Sequence, residues 1–358
     1  MPPPPDLSRH VLPDAEAREI FTSKILPADL PATLTPHPRR SRPLAVLIVG
    51  QTGAGKTRLA PAVLDAMTRI HPPAHLIADL YKAHHPSYAA LVASKDPSQA
   101  ALASPATGTD ARRWLAMAVA EAVGRRLDVL LESACRHPDD FRELARALGA
   151  GGYRVEVVVM AVPAALSRLG ILHRFHERLP EAGPAGGLPI RLTPVKIHDD
   201  SYGGLMSVAE WIDEVDFVDQ VLVVRRGNLV AFADEKTTTT TTTAGGKLRG
   251  KVAEAVERER RRPLTGEERA VVVRDLEKLT ARDARSGELV MGLLEPLLVD
   301  EEDKAYPELR PLVFPPGGPR EAMLTLGKKS DGQAGEKKKG GSDKMSGQIN
   351  NSPPLPST

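Results

Sequence analysis

The stretch that most limits what this chain can fold into lies between residues 44 and 59, which read L-A-V-L-I-V-G-Q-T-G-A-G-K-T-R-L. Leu44 to Val49 is an apolar, β-branched run of strand length, the composition of a buried strand. It breaks at Gly50 into G-x-x-x-x-G-K-T, and a helix-compatible segment comes next. The glycines let backbone N–H groups point inward around an anion, because a Cβ would block the close approach. The new helix adds its N-terminal partial positive charge at the same spot. Gly50, Gln51, Thr52, Gly53, Ala54, Gly55, Lys56 and Thr57 are therefore predicted to cradle the phosphates of a nucleoside triphosphate. Lys56 would reach the β- and γ-phosphates, and the Thr57 hydroxyl would ligate Mg²⁺. A chance match in a Gly-rich turn would lack the strand before it and the helix behind it.

The chain has 358 residues, room for one large α/β domain with appendages or for two modest domains. A net charge of +2 gives no global electrostatic case for nucleic acid or a membrane surface. The single cysteine, Cys135, excludes an intrachain disulfide and a cysteine-based zinc cluster, and fits a reducing compartment. No apolar run approaches the ~20 residues that span a bilayer. The M-P-P-P-P-D start carries no signal-peptide pattern. A cytoplasmic protein is the expectation.

In chain order, a proline-punctuated extension (1–42) holds a helix near Asp14 to Lys24. The helix after the loop should run to about Arg69 and stop at His71-Pro72-Pro73. A short strand, His75 to Ala78, ends at Asp79; residues 94–110 read as a loop and 111–126 as a helix. Leu127 to Leu131 is the next buried strand, with Glu132 at its end, and Pro138 to Leu148 is a helix. Tyr153 to Val162 is a long strand, and Pro163 opens a helix carrying Arg168, Arg174 and Arg178. A Gly/Pro-rich excursion (180–189), a helix (193–215) and a hairpin (218–233, turning at Arg226-Gly227-Asn228) complete a kinase-like domain over 43–235. Seven threonines, 237–243, sit in a linker over 236–250. Residues 251–281 read as a helical hairpin, restarted after Pro263 by a Thr265/Glu268 capping box, within a helical extension over 251–300. The Lys-, Gly- and Pro-rich 301–358 reads as disordered. Strands alternating with helices predict an α/β fold of the P-loop NTPase kind: a parallel sheet, helices on both faces, ligands at the carboxyl ends of the strands.

A phosphoryl-transfer enzyme also needs a group to orient the acceptor, a metal site and cations on the moving oxygens. The N-K-x-D tetrapeptide of a GTPase is absent, as is the strand ending D-E of a large motor ATPase. The layout that remains is that of a small kinase. Asp79, at a strand end, reads either as a base facing the γ-phosphate or as a plain turn aspartate. Glu132 reads either as an acid for the magnesium's water shell or the acceptor, or as a helix cap. Arg174 and Arg191 are candidate phosphate clamps, since planar guanidinium matches phosphate oxygens. Histidines 84 and 85 are adjacent and point in different directions, so they do not read as a metal pair.

The order of these pieces resembles the zeta toxin family, P-loop kinases of bacterial toxin–antitoxin systems. The chain supplies G-Q-T-G-A-G-K-T, then D-L-Y-K-A-H-H-P-S-Y from Asp79 to Tyr88, then L-L-E-S-A from Leu130 to Ala134. It continues with G-Y-R-V-E-V-V-V-M-A-V-P (152–163), H-R-F-H around Arg174, R-L-T-P at Arg191, and His198-Asp199. The resemblance spans about 44–235. It implies that Asp79 is the base deprotonating an acceptor hydroxyl, and that Lys56 and Thr57 hold ATP and Mg²⁺. Glu132 and Lys82 would serve the substrate, with Arg174 and Arg191 stabilising charge on the phosphoryl group. The implied reaction is phosphorylation of the sugar 3′-hydroxyl of UDP-N-acetylglucosamine, and the implied partner is a cognate antitoxin. Two departures fall on the acceptor side: Glu132-Ser133-Ala134-Cys135 stands where the family has E-G-T-G, and the Gly/Pro-rich 180–189 replaces a more ordered approach to Arg191. Two other readings keep the nucleotide site. One is a small-molecule or nucleotide kinase with another acceptor; the other is an ATP-binding interaction module whose chemistry has lapsed.

Overall fold

The computed structural model describes residues 6–178, 192–236, 248–298, 306–314 and 324–326. Arg191, the 180–189 excursion, the seven threonines and most of the expected tail lie outside the described residues.

The sheet is organised around β1 (Leu44–Val49), the strand predicted from its apolar run. Its side chains divide by parity: Ala45, Leu47 and Val49 enter one core, Val46 and Ile48 the other. That alternation buries the strand on both faces, as a central parallel strand requires. β2 (Ala74–Ile77), β3 (Val129–Ser133), β4 (Arg154–Met160) and β5 (Val218–Arg225) join it in parallel, in the order β2-β3-β1-β4-β5. β6 (Leu229–Glu235) returns antiparallel from β5 through the predicted Arg226-Gly227-Asn228 turn.

Helices cover both faces. On one side lie α3 (Lys56–Thr68) and α8 (Ala164–Arg178). The other carries α1 (Asp14–Ile20), α6 (Pro97–Arg125), α7 (Pro138–Ala150) and α9 (Val195–Glu214). α7 shows why such segments dock: Phe141, Leu144, Ala145 and Leu148 recur at helical spacing and all are buried. α1 runs through a π-helical turn, Phe21–Ile25, into the short α2 (Leu26–Asp29).

Several expectations are corrected. Residues 94–110 are not a loop, since α6 begins at Pro97. The Asp96 carboxylate accepts the Ser98 N–H at 2.8 Å and caps the helix, and a proline in the first turn costs nothing. Ala103 and Ala106 then bury against Leu91 of α5 (Pro86–Val92), which outweighs the interruption at Pro105. β2 starts at Ala74 and stops at Ile77, so Asp79 sits in the first turn of α4 (Ala78–Tyr81) rather than at the strand's tip. Glu132 lies within β3, not after it.

The segment beyond 248 forms three helices where two were expected: α10 (Val252–Arg261), α11 (Gly266–Arg282) and α12 (Ala284–Leu294). The predicted Thr265/Glu268 capping box is formed. The second carboxylate role of Glu268 explains the docking, because it also receives buried Arg225 of β5 at 2.7 Å. The Arg225 guanidinium donates as well to the Glu259 carbonyl of α10 at 2.7 Å. Nor is everything past 300 without structure: β7 (Arg310–Val313) pairs with β6, and β8 (Thr325–Leu326) with β7. No helix among the described residues is long and apolar enough to cross a membrane.

Trp114 of α6 is fully buried and donates its indole N–H to the Ala17 carbonyl of α1 at 2.8 Å. Trp114→Ala should cost about 3–5 kcal/mol of stability in urea unfolding, with Trp114→Phe recovering most of it.

Candidate active site

The loop from Gly50 to Gly55 joins β1 to α3 and needs left-handed backbone at two points. Gly53 has φ +82° and Gly55 φ +105°, conformations that side-chain-bearing residues rarely adopt. Gly55 is the N-cap of α3 and offers no side-chain acceptor. The Arg58 N–H bonds to the Gly55 carbonyl at 2.9 Å, and the Lys56 and Thr57 N–H groups ahead of it precede the helical ladder, which is the condition for holding an anion.

What keeps the loop open is a ring of contacts to its carbonyls and to Gln51. The Lys56 ammonium folds back onto the Gly50 carbonyl at 2.7 Å and the Gln51 carbonyl at 3.4 Å. Gln51 is fully buried, and its amide donates to the Val162 carbonyl at 2.6 Å and the Ser167 hydroxyl at 3.3 Å. From α9, the Ser201 hydroxyl accepts the Thr52 N–H at 3.1 Å. His198 and Ser167 are hydrogen-bonded at 2.7 Å, and the other His198 nitrogen meets Asp199 at 2.8 Å. Burial holds the His198 imidazole below its usual range, so it sits neutral as a hydrogen-bonding strut.

Two arginines close the ring. Arg226, at the β5–β6 turn, donates to the carbonyls of Gly53 and Leu166, each at 2.8 Å. Burial, with Arg58 nearby, pulls its pKa down to about 10, which leaves it charged at neutral pH. Arg260 of α10 reaches the Gln51 side-chain oxygen at 3.4 Å and the Tyr202 carbonyl at 3.0 Å, its guanidinium stacked 3.6 Å above the Tyr202 ring. Composition and spacing pointed to none of Ser167, Ser201, Arg226 or Arg260 as part of this site, because each acts on backbone or on Gln51 from an element far away in sequence. The H-D pair at His198-Asp199 was the one sequence signal near them.

The charged candidates converge on the same end of the sheet. Lys56 has its pKa lowered by burial, while the charges of Asp79 and Glu132 pull the other way and Arg174 adds to the lowering. Asp79 is 76% exposed at the rim of the cleft, with protein crowding its inner side. That crowding works against its charge, but Lys82, Lys56 and Arg174 together hold its carboxyl below the ordinary range. Lys82 pairs with Asp79 and also donates to the Ser104 hydroxyl at 2.9 Å. Glu132 is buried in β3 and meets the His75 ring at 2.9 Å. Arg174 is exposed on α8, within electrostatic reach of both Lys56 and Asp79. Thr57, in the first turn of α3, is exposed.

Past Glu132 the chain turns through Ser133, whose hydroxyl accepts the Cys135 N–H at 3.1 Å, and Cys135 takes the left-handed φ of +53°. Cys135 is buried and its thiol is pushed up to about 12, chiefly by burial, which makes it unreactive at neutral pH. Replacing Arg226 with Met strands the Gly53 carbonyl, while Leu166, inside α8, keeps its helical partner. That should cost about 1–3 kcal/mol locally and be read as roughly 10- to 100-fold faster hydrogen exchange at the loop amides Thr52 to Gly55.

Comparison with known proteins agrees with this architecture. The family model for zeta toxin matches residues 29–238. Toxin zeta of Enterococcus hirae is 24% identical over 229 residues, covering 63% of this chain and 72% of that protein. Toxin zeta of Streptococcus pyogenes is 24% identical over 198 residues, covering 54% of this chain and 64% of that protein. A chain from the structural characterization of the PezAT chromosomal toxin-antitoxin system of Streptococcus pneumoniae superposes with a TM-score of 0.58 at 17% identity, over 76% of this chain and 98% of that one. With the matched region covering β1 to β6, the phosphate loop and every described charged candidate, the chain belongs to the zeta toxin family, with its kinase-like P-loop fold.

Proposed function

We propose that this chain is an ATP-dependent kinase of the zeta type, transferring the γ-phosphoryl group to a hydroxyl of a nucleotide sugar such as UDP-N-acetylglucosamine. The observation that carries the reading is the mutual electrostatic reach of Lys56, Asp79 and Arg174 beside a phosphate loop whose helix N-terminus lacks a cap. Lys56 leaves the loop carbonyls it now contacts and takes up phosphate oxygens instead, a rearrangement of one flexible side chain. The donor set fits Mg²⁺, since Thr57 offers a hydroxyl beside the loop and Glu132 a carboxylate across from it. Bound there, the ion would neutralise charge on the phosphate oxygens.

Asp79 has the role of base. Its lowered pKa keeps it ionised at neutral pH, ready to accept the acceptor hydroxyl's proton. Arg174, and Arg191 by the same reading, balance charge on the moving phosphoryl group. Glu132, oriented by His75, and Lys82, anchored on Ser104, face the acceptor side. A cognate antitoxin is the proposed protein partner and the cytoplasm the proposed compartment. A different acceptor is favoured by one feature, the Ser133-Ala134-Cys135 turn, where the threonine hydroxyl of the family pattern is lost.

The test is transfer of labelled phosphate from ATP to UDP-N-acetylglucosamine and to a panel of other hydroxyl acceptors. Asp79→Asn should lower kcat by roughly 10²- to 10⁴-fold while nucleotide binding persists. Equal turnover in the variant would remove Asp79 from the mechanism. The pH profile gives a separate check. Because Asp79 is depressed, activity should fall only as pH drops through that lowered value. Lys82→Ala removes the nearest cation, so the acid limb should move to higher pH.

A further inference from the structure

At the opposite end of the sheet from the phosphate loop, three side chains that the kinase reading does not use come together. His37 lies in the segment leading to β1, His71 just after α3, and Asp128 just before β3. The His37 Nδ1 is 3.0 Å from one Asp128 carboxylate oxygen, and the His71 Nδ1 is 3.1 Å from the other. One ligand atom from each residue can be chosen so that all three lie within 4.8 Å of one another. The carboxylate is 5% exposed and the imidazoles 16% and 17%.

The far side of each ring is already engaged. The His37 Nε2 is 2.9 Å from the Ser41 hydroxyl, and the His71 Nε2 is 3.1 Å from the Thr35 hydroxyl. The buried His37 Nδ1 makes no hydrogen bond despite its 3.0 Å separation from the Asp128 carboxylate, whereas the His71 Nδ1 is hydrogen-bonded to the other carboxylate oxygen at 3.1 Å. Backbone contacts hold the carboxylate and ring in place: the Leu44 N–H donates to Asp128 at 2.7 Å, and the His37 N–H donates to the Arg126 carbonyl at 2.8 Å.

We propose that His37, His71 and Asp128 bind one divalent transition-metal ion, with zinc the ion that suits two imidazoles and a carboxylate. Two nitrogens and one oxygen are a three-ligand set that a water completes to tetrahedral. The outward ring nitrogens bonded to hydroxyls are the outer contacts that orient metal-binding histidines. The ion would tie the N-terminal segment to the amino ends of β1 and β3 and to the far end of α3. At ~1.5 Å per residue, that helix of 13 residues keeps the ion about 20 Å from Lys56, so its role is to brace the fold and not to join the chemistry.

The experiment uses the full chain, stripped with a chelator and titrated with Zn²⁺ by calorimetry, with melting followed in parallel. Wild type and the control His10→Gln should bind one Zn²⁺ per chain and melt at higher temperature when loaded. His37→Gln and His71→Gln should weaken binding on the order of 100-fold and lose the thermal shift. Cobalt substitution of wild type gives a readout independent of any variant's folding: the visible spectrum should be that of a tetrahedral ion. Zn²⁺ binding that is absent in wild type, or equally tight in both histidine variants, or an octahedral cobalt spectrum, would overturn the proposal.

Discussion

A phosphate loop works only if it is held open around the anion, and the rest of this molecule is arranged to hold it so. Left alone, a six-residue loop of this composition would collapse onto its own carbonyls, because buried backbone groups must find partners. Here one bond is internal, from the Ala54 N–H to the Gln51 carbonyl at 3.0 Å, and most other partners come from outside the loop. Arg226 takes the Gly53 carbonyl, Lys56 takes those of Gly50 and Gln51, and the Gln51 side chain is bolted to Val162, Ser167 and Arg260. Four separate elements thus hold the loop by its outer edge, and the anion-facing edge stays open.

The parallel sheet turns that local device into a site. All five parallel strands run the same way, so the segments leaving β1, β2 and β4 gather at one end: the loop, α4 with Asp79, and the helix carrying Arg174. Glu132 reaches the same end from within β3. The amino end gathers something else, the His37, His71 and Asp128 cluster. The same geometry that concentrates anion-binding chemistry on one side leaves the other free for a brace. The helices past 248 contribute to the first of these ends, since Arg260 and the Arg225–Glu268 pair link them to Gln51 and β5.

The central fold was legible because its signals are local. An apolar run, a glycine loop and a helix in immediate succession admit one reading, and β1, α3, β4 and the β5–β6 turn come with it. α6 was misread from 97 to 110 because its prolines and small residues look like a loop; the Asp96 cap and the packing on α5 decide otherwise, and packing is not visible in a string of residues. The strand tips near Asp79 and Glu132 were each displaced by a residue or two, where hydrogen-bond registry sets the ends. The charged candidates Lys56, Asp79, Glu132 and Arg174 could be found from motif order. The struts could not: Arg226 lies 173 residues from Gly53 and Arg260 lies 209 from Gln51, with no periodicity to connect them. The His37, His71 and Asp128 cluster was hidden for the same reason, since three loops bring it together.

The claim underneath this account is that one end of the sheet forms a single site in which a triphosphate's terminal group meets Lys56, Asp79 and Arg174 at once. A crystal structure of the chain with a non-hydrolysable ATP analogue and Mg²⁺ addresses it directly. The terminal phosphate should lie within hydrogen-bond distance of the Lys56 ammonium, with the Asp79 carboxylate and Arg174 guanidinium turned toward it. An analogue seated elsewhere, or Asp79 and Arg174 both directed away from the bound phosphate, would contradict it.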